Sequence, residues 1–287
     1  MRPFGYQRPE RLADAVQLLA EHGPAARVLA GGTDLIVGMR LGKYAPRLII
    51  DLKRIADLPA GIEESPSGLA VTATTVMAGI TGDERVRRRF PALAEAAQTV
   101  GSLQIRHRAT LAGNVCNASP AADTVPALLL YGAVVVTAGP DGDRRIPLRQ
   151  FILGPRLTAL RAGELVRAIE LPWPDAGSGS AFVRLTRRRG VDLATISLCC
   201  SVSPAGEVRF SFGAVAPVPF LVSDDSGALV DPAADPATRD QVLAGLSARA
   251  SPISDLRAGA DYRRAMLVVL SRRALRTALR RRKAGDP

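Results

Sequence analysis

The stretch Val28-Leu29-Ala30-Gly31-Gly32-Thr33-Asp34-Leu35 changes character in its middle. Arg27 to Ala30 suits a short buried strand, which runs straight into two glycines, and a helical segment follows from Leu35 to Leu41. Glycines reach positive φ and let main-chain N–H groups approach an anion, and the Thr33 hydroxyl adds a donor. Gly-Gly-Thr-Asp also makes a good tight turn and helix cap, so the motif alone leaves both readings open. Its surroundings say more about the fold. Upstream, Leu12, Ala15, Val16 and Leu19 fall on one helical face after Pro9-Glu10, and His22-Gly23-Pro24 stops that helix. Downstream, Leu48 to Leu52 reads as another strand. The first fifty residues thus run strand, helix, strand, loop, helix, strand, and parallel strands joined by a helix make a βαβ unit.

From about Ile55 the pattern changes. Gly61 to Val71 reads as a turn-rich hairpin and Pro91 to Val100 as an alanine-rich helix. Thr110 to Asp123 reads as a loop dense in Gly, Asn, Ser and Pro. Ala127 to Val136 reads as helix then strand, and Leu165 to Leu171 as a strand ended by Pro172-Trp173-Pro174. Gly177-Ser178-Gly179-Ser180 has the composition of a linker. After it, Ala181 to Thr186, Ala194 to Val202 and Val208 to Val215 have hairpin character, with a turn at Pro204-Ala205-Gly206-Glu207. Asp231 to Ala250 reads as loop and helix. In the last helix, Asp261 to Lys283, Leu267, Leu270, Ala274, Leu275 and Ala278 share one face and arginines take the other.

The 287 residues are 47% apolar and 23% charged, enough for a packed core in one large domain or two ordinary ones. No run approaches the roughly 20 apolar residues of a membrane span. Met1 to Tyr6 has no apolar segment of a secretory signal, and three cysteines make no disulfide framework, so the expected setting is the reduced cytoplasm. The net charge of +11 raises the question of nucleic acid. From Arg257 to Pro287, ten basic residues stand against Asp261 and Asp286, a net +8, which leaves +3 for everything before. The basicity therefore belongs to one terminal helix. With aromatics at 4% and no basic run interleaved with them, a stacking platform for nucleic acid is missing.

Several chemistries have no residues to carry them. There are two histidines, His22 and His107, and no HExxH, CxxC, P-loop, GxSxG or GxGxxG pattern. Cys199 and Cys200 lie in an apolar strand and read as packing residues on opposite faces. His107, in Arg106-His107-Arg108, reads as a solvated loop histidine. No metal site and no side-chain nucleophile is expected.

A second motif begins at Val100-Gly101-Ser102-Leu103-Gln104-Ile105 and continues through Thr110-Leu111-Ala112-Gly113-Asn114-Val115-Cys116-Asn117-Ala118-Ser119-Pro120-Ala121-Ala122-Asp123. So long a loop inside a compact domain is usually functional. Thr110, Asn114, Asn117 and Ser119 offer neutral donors and acceptors, and Asp123 offers acceptors for sugar hydroxyls. Two such loops, in this order, suit the two ends of one dinucleotide.

Together the motifs resemble the FAD-binding (medium) subunit of the molybdenum hydroxylases, the carbon monoxide dehydrogenase and xanthine dehydrogenase family. The likeness extends to Pro3-Phe4-Gly5-Tyr6 and Pro9, to Ile169-Glu170-Leu171-Pro172, to Arg187-Arg188 with Asp192-Leu193-Ala194, and to Asp261-Tyr262-Arg263-Arg264. It implies an α+β fold: a PCMH-type FAD-binding domain over residues 1–176, in subdomains of about 1–54 and 55–176, then a smaller α+β domain of the CO dehydrogenase flavoprotein C-terminal type over 180–284. By the resemblance, the pyrophosphate of a non-covalent FAD lies on Ala30, Gly31, Gly32, Thr33 and Asp34, flanked by Val28, Leu29 and Leu35, and on Thr110, Leu111, Ala112, Gly113 and Asn114. Asn117 and Asp123 fall on the sugar and ribityl side, Val100, Gly101 and Ile105 beside the flavin, and Val166 against the isoalloxazine ring. Arg184 stands where many members have a lysine, and Ala112-Gly113 where two glycines are common.

The implied function is electron transfer. A 2Fe–2S small subunit supplies electrons from a molybdenum-cofactor large subunit, and FAD passes them to NAD, oxygen or a quinone, within a dimer of heterotrimers. The alternative is a stand-alone flavin oxidase or reductase of the same fold with its own substrate. The basic final helix has two readings, a solvated arginine face or a docking face for an acidic partner.

Overall fold

A computed structural model of the protein describes residues 1–284, so Asp286 lies outside the described residues. The chain begins β1 (Gly5–Gln7), α1 (Leu12–His22), β2 (Ala26–Leu29), α2 (Leu35–Arg40), β3 (Leu48–Asp51), β4 (Ile62–Ser65) and β5 (Gly68–Thr72). Helices follow: α3 (Met77–Gly82), α4 (Glu84–Arg89), α5 (Pro91–Gln98), α6 (Leu103–Arg106), α7 (Leu111–Cys116) and α8 (Thr124–Leu130). Next come β6 (Val134–Gly139), β7 (Gly142–Pro147), α9 (Leu148–Phe151), β8 (Ile152–Gly154), β9 (Leu157–Thr158) and β10 (Leu165–Pro172). The last elements are β11 (Gly179–Leu185), β12 (Ile196–Val202), β13 (Val208–Gly213), β14 (Phe220–Asp224), α10 (Pro236–Ser247) and α11 (Ala260–Ala284).

The chain forms two compact units, each assembled from separate stretches. The first takes residues 1–80, 103–118 and 133–172; the second takes 81–102, 119–132 and the chain from 173 onward.

In the first unit, β3 lies between β1 and β2 and is parallel to both, as the βαβ reading requires. Ile49 and Ile50 of β3 are buried, and α1 packs Ala15, Val16 and Leu19 over β2 and β3. The same unit holds an antiparallel sheet in the order β4-β5-β10-β6-β7.

In the second unit, β11 to β14 form an antiparallel meander. Strand alternation gives it two dissimilar faces. Ile196, Leu198, Cys200 and Val202 of β12 join Val208, Phe210 and Phe212 of β13, and Leu267, Leu270, Ala274, Leu275 and Ala278 of α11 close this core. The opposite face is small: Cys199 pairs with Ser211 and Ser197 with Gly213, and Ser211 Oγ donates to the Pro126 carbonyl of α8 at 2.6 Å. Burial holds both thiols, Cys199 and Cys200, well above the usual cysteine range, as their packing role requires.

Three sequence expectations need correction. Residues 110–123 are not one loop. Thr110 caps a helical turn, α7, whose Leu111, Ala112 and Val115 are buried, a helical spacing hidden among polar letters. The presumed linker is partly strand, since Gly179 and Ser180 begin β11 and pair with Val202 and Ser201. A β-carbon on Gly179 would lie 2.0 Å from the Ala278 carbonyl oxygen, so glycine there serves close helix–strand packing rather than chain freedom. The arginines of α11 are also not all solvated: Arg263 is buried, Arg272 pairs with Asp240, and Arg281 donates to Glu95 and to the Ser180 carbonyl. No helix among the described residues is long and apolar enough to cross a membrane.

Gly179→Ala must push α11 off β11. The expected loss of stability is about 1–3 kcal/mol, read by urea unfolding; an unchanged midpoint would contradict the close packing.

Candidate functional site: a cofactor cradle

β2 ends at Leu29, paired with Asp51 of β3. The Ile36 N–H then donates to the Gly32 carbonyl at 3.0 Å, so the first turn of α2 starts at Gly32. None of the main-chain N–H groups from Gly31 to Leu35 meets an acceptor among the described residues, and neither does the Thr33 hydroxyl. Such a run of free donors carries the partial positive charge of a helix start. The turn is locked from below. A β-carbon on Gly31 would sit 2.1 Å from the Arg108 carbonyl oxygen, so the first motif rests directly on the backbone leading into the second. Gly32 has φ +80°, which glycine takes freely.

Three residues that sequence reading did not place at the site brace this turn. Lys53 Nζ donates to Asp51 Oδ1 at 2.6 Å and to the Ala30 carbonyl at 3.3 Å, and the Tyr6 hydroxyl donates to Asp51 Oδ2. Burial would raise the Asp51 carboxyl, but the hydrogen bonds from Lys53 and Tyr6 outweigh it and hold its pKa below the usual value. Asp51 ends β3, Tyr6 lies within the three-residue β1, and Ala30 follows β2. Carboxyl ends of parallel strands are where ligands collect, which is the signal that was available.

The second motif enters the first unit on rigid supports. Met77 N–H donates to the Ala109 carbonyl at 2.8 Å and Leu111 N–H to the Thr75 carbonyl at 3.2 Å. Thr110 Oγ1 accepts from Gly113 N–H at 3.0 Å, and Asn114 N–H donates to the Thr110 carbonyl. α7 packs against β10, which carries Val166, 4% exposed, where the pairing with β6 shifts register. Asn117 accepts a hydrogen bond from Arg156, whose N–H donates to the Ala118 carbonyl at 2.9 Å. Ile105, on α6, is exposed.

The second unit holds the remaining expected residues. Asp123 Oδ2 pairs with Arg184 Nη1 at 2.7 Å, both side chains 9% exposed. Arg184 also donates to the carbonyls of Thr99 and Asp192, each at 2.8 Å. This draws the chain just before Val100 and Gly101 to the Asp123 carboxylate. Asp123 Oδ1 is buried with no hydrogen-bond partner among the described residues. Burial pushes the carboxyl up to about 6, although Arg184 and the neighbouring Thr99 hydroxyl pull the other way. An orphaned buried acceptor is costly unless a ligand hydroxyl fills it.

In the first unit the free main-chain donors fit the diphosphate of FAD, and in the second the buried acceptor fits a sugar hydroxyl. Among the described residues no group of three or more His, Cys, Asp or Glu side chains is placed to hold a metal ion.

The family model described as the FAD binding domain in molybdopterin dehydrogenase matches residues 2–174, and that of the CO dehydrogenase flavoprotein C-terminal domain matches residues 181–278. The chain belongs to the family of FAD-binding medium subunits of the molybdenum hydroxylases. It is 34% identical to the carbon monoxide dehydrogenase medium chain of Afipia carboxidovorans, over 98% of either chain. It is 28% identical to the putative xanthine dehydrogenase FAD-binding subunit of Escherichia coli, over 96% of this chain and 95% of that one. The solved structure of reconstituted CO dehydrogenase from Oligotropha carboxidovorans superposes with a TM-score of 0.90 at 33% identity, covering 98% of this chain and 99% of that one. As a member of this family it is an FAD-dependent oxidoreductase subunit, and the α+β, two-domain expectation holds.

Two results are expected of the cradle. Gly31→Ala cannot keep both the turn and the Arg108 carbonyl in place, so FAD retention falls by about tenfold or more, roughly 1.4 kcal/mol. Fluorescence titration of the refilled chain checks this. For Asp123, the folded carboxyl near 6 lies above its ordinary 3.8. Its contribution to stability is therefore full below about pH 4 and is lost as pH rises through about 6. Asp123→Asn removes that part of the slope in unfolding free energy; identical pH profiles would refute the assignment.

Proposed function

We propose that this chain is the electron-transfer subunit of a three-subunit molybdenum hydroxylase. It accepts electrons from a 2Fe–2S small subunit, fed by a molybdenum-cofactor large subunit, and passes them to NAD, oxygen or a quinone. The observation that carries the reading is the row of free N–H groups from Gly31 to Leu35, locked on the Arg108 carbonyl. The chemistry FAD supplies when bound is the exchange between one-electron and two-electron steps.

The chain's own residues do the holding. The N–H groups from Gly31 to Leu35 and the Thr33 hydroxyl take the diphosphate, with Val28, Leu29 and Ala30 fixing the end of the strand. The turn Thr110, Leu111, Ala112, Gly113 and Asn114 stiffens the other wall. Asn117 and Asp123 accept from sugar hydroxyls, and Arg184 keeps the carboxylate in place and ionised at neutral pH. Val100, Gly101, Ile105 and Val166 give the ring its apolar surround. The chain divides for this purpose at 1–176 and 180–284.

Partner subunits follow from what relatives are called. Those of Afipia carboxidovorans and Hydrogenophaga pseudoflava are medium chains, and a solved structure of the latter's enzyme is described as lacking the Mo-pyranopterin moiety of its molybdenum cofactor. The metal centres of this complex belong to partner chains, in a dimer of heterotrimers. Three free cysteines suit the cytoplasm.

Native mass spectrometry of the tagged protein from its own host tests the proposal. One FAD per chain and two co-isolating subunits, one binding iron–sulfur clusters, are expected. A chain with FAD but no partners points instead to a stand-alone flavoenzyme, and a chain that takes up no flavin removes the reading altogether.

A further inference from the structure

Arg263 lies in the first turns of α11, amid the most basic stretch of the chain, yet it is only 1% exposed. Its Nη2 donates to Asp255 Oδ1 at 2.6 Å. Its Nη1 donates to two carbonyls from separate segments, Thr195 at 2.9 Å and Ala214 at 3.1 Å. Charge balance does not require this arginine. Arg257 already binds Asp255 Oδ2 through Nε and Nη2, and its N–H donates to Asp255 Oδ1. What Arg263 alone provides is the grip on the carbonyls.

Ala214 is unusual in itself. It is not glycine, yet its φ is +62°, a region that a β-carbon disfavours. In that conformation its N–H donates to the Pro120 carbonyl at 2.7 Å. Pro120 belongs to Ser119-Pro120-Ala121-Ala122-Asp123, the end of the second motif. Within it, Ala122 N–H donates to the Ser119 carbonyl at 3.0 Å, and Asp123 is pinned to Arg184. One end of this short segment is held by Arg184, and the other through Ala214 by Arg263.

We propose that Arg263 is a positioning residue for the cofactor segment. It clamps Ala214 in its left-handed conformation, and Ala214 in turn fixes Pro120 and so the placement of Asp123. The consequence for FAD rests on the function proposed above; the clamp itself does not. Arg263 does not touch the expected cofactor residues, and its planar fork suits it to two carbonyls and a carboxylate at once.

The test uses the full chain with Arg263→Met, Arg263→Lys, Ala214→Gly and the double variant Arg263→Met/Ala214→Gly. In the cofactor-free chain, peptide-level hydrogen exchange reads residues 119–123 and 213–215 directly. Losing a hydrogen bond to a charged group is expected to speed exchange there about tenfold or more in both arginine variants. The FAD dissociation constant should rise by about the same factor. Ala214→Gly alone should leave FAD binding as it is. Added to Arg263→Met it should restore binding, because glycine takes positive φ without a clamp.

Unchanged exchange at 213–215 in the arginine variants overturns the proposal. So does a double variant with no recovery, which would make Arg263 a buried partner of Asp255 and nothing more. If Arg263→Met does not fold, Arg263→Lys decides, since lysine keeps the charge beside Asp255 but not the fork. If the unmodified chain takes up no FAD, the proposed function fails, while the exchange result still judges the clamp.

Discussion

The approach of the Gly31 α-carbon to the Arg108 carbonyl is the constraint on which the first unit's candidate site depends. It brings together two motifs almost eighty residues apart in sequence. Because the contact is made by backbone on both sides, no rotamer change can relieve it. The turn is thereby fixed with its donors free of acceptors among the described residues, and Lys53, Asp51 and Tyr6 brace the strand end beside it. A loop held this way needs no ligand to define its shape, which is what a preorganised anion site requires.

Much of this was legible in the sequence. The βαβ opening followed from the spacing of Leu12, Ala15, Val16 and Leu19 between two apolar runs, and the structure keeps it. The glycines at 31 and 32 read in the sequence as letting N–H groups approach an anion; the close approach the structure shows is a different one, of Gly31 to a carbonyl far along the chain, which no local pattern names. The helical turn α7 escaped notice for a physical reason. It is six residues long, too short for a period to stand out, and its Gly113 and Asn114 are poor helix formers that tertiary burial of Leu111, Ala112 and Val115 overrides.

Arginine was the harder letter to read. The chain is rich in it, and most arginines face solvent, so composition gives no sign of which are structural. Arg184 and Arg263 each spend their donors on two main-chain carbonyls from separate segments as well as on an aspartate. That combination has no local sequence signature. Asp123 lies 61 positions from Arg184, and Ala214 lies 49 from Arg263. A buried guanidinium is costly unless its protons are placed; Arg263 meets two carbonyls and a carboxylate, while its Nε stays buried without a partner among the described residues.

The left-handed alanines carry the same logic to the backbone. Ala118, at φ +43°, ends the turn after α7, and Ala214, at φ +62°, follows β13. Each conformation costs on the order of 1–3 kcal/mol and persists only where surroundings impose it. In both places a main-chain carbonyl is held by an arginine, Ala118 by the N–H of Arg156 and Ala214 by the guanidinium of Arg263. Glycine would remove the strain at either position but would also free the chain to take other turns, raising the entropy lost on folding. Alanine with a clamp gives one conformation at a cost, and the segment so defined carries Asp123, the acceptor whose buried oxygen has no partner within the described chain.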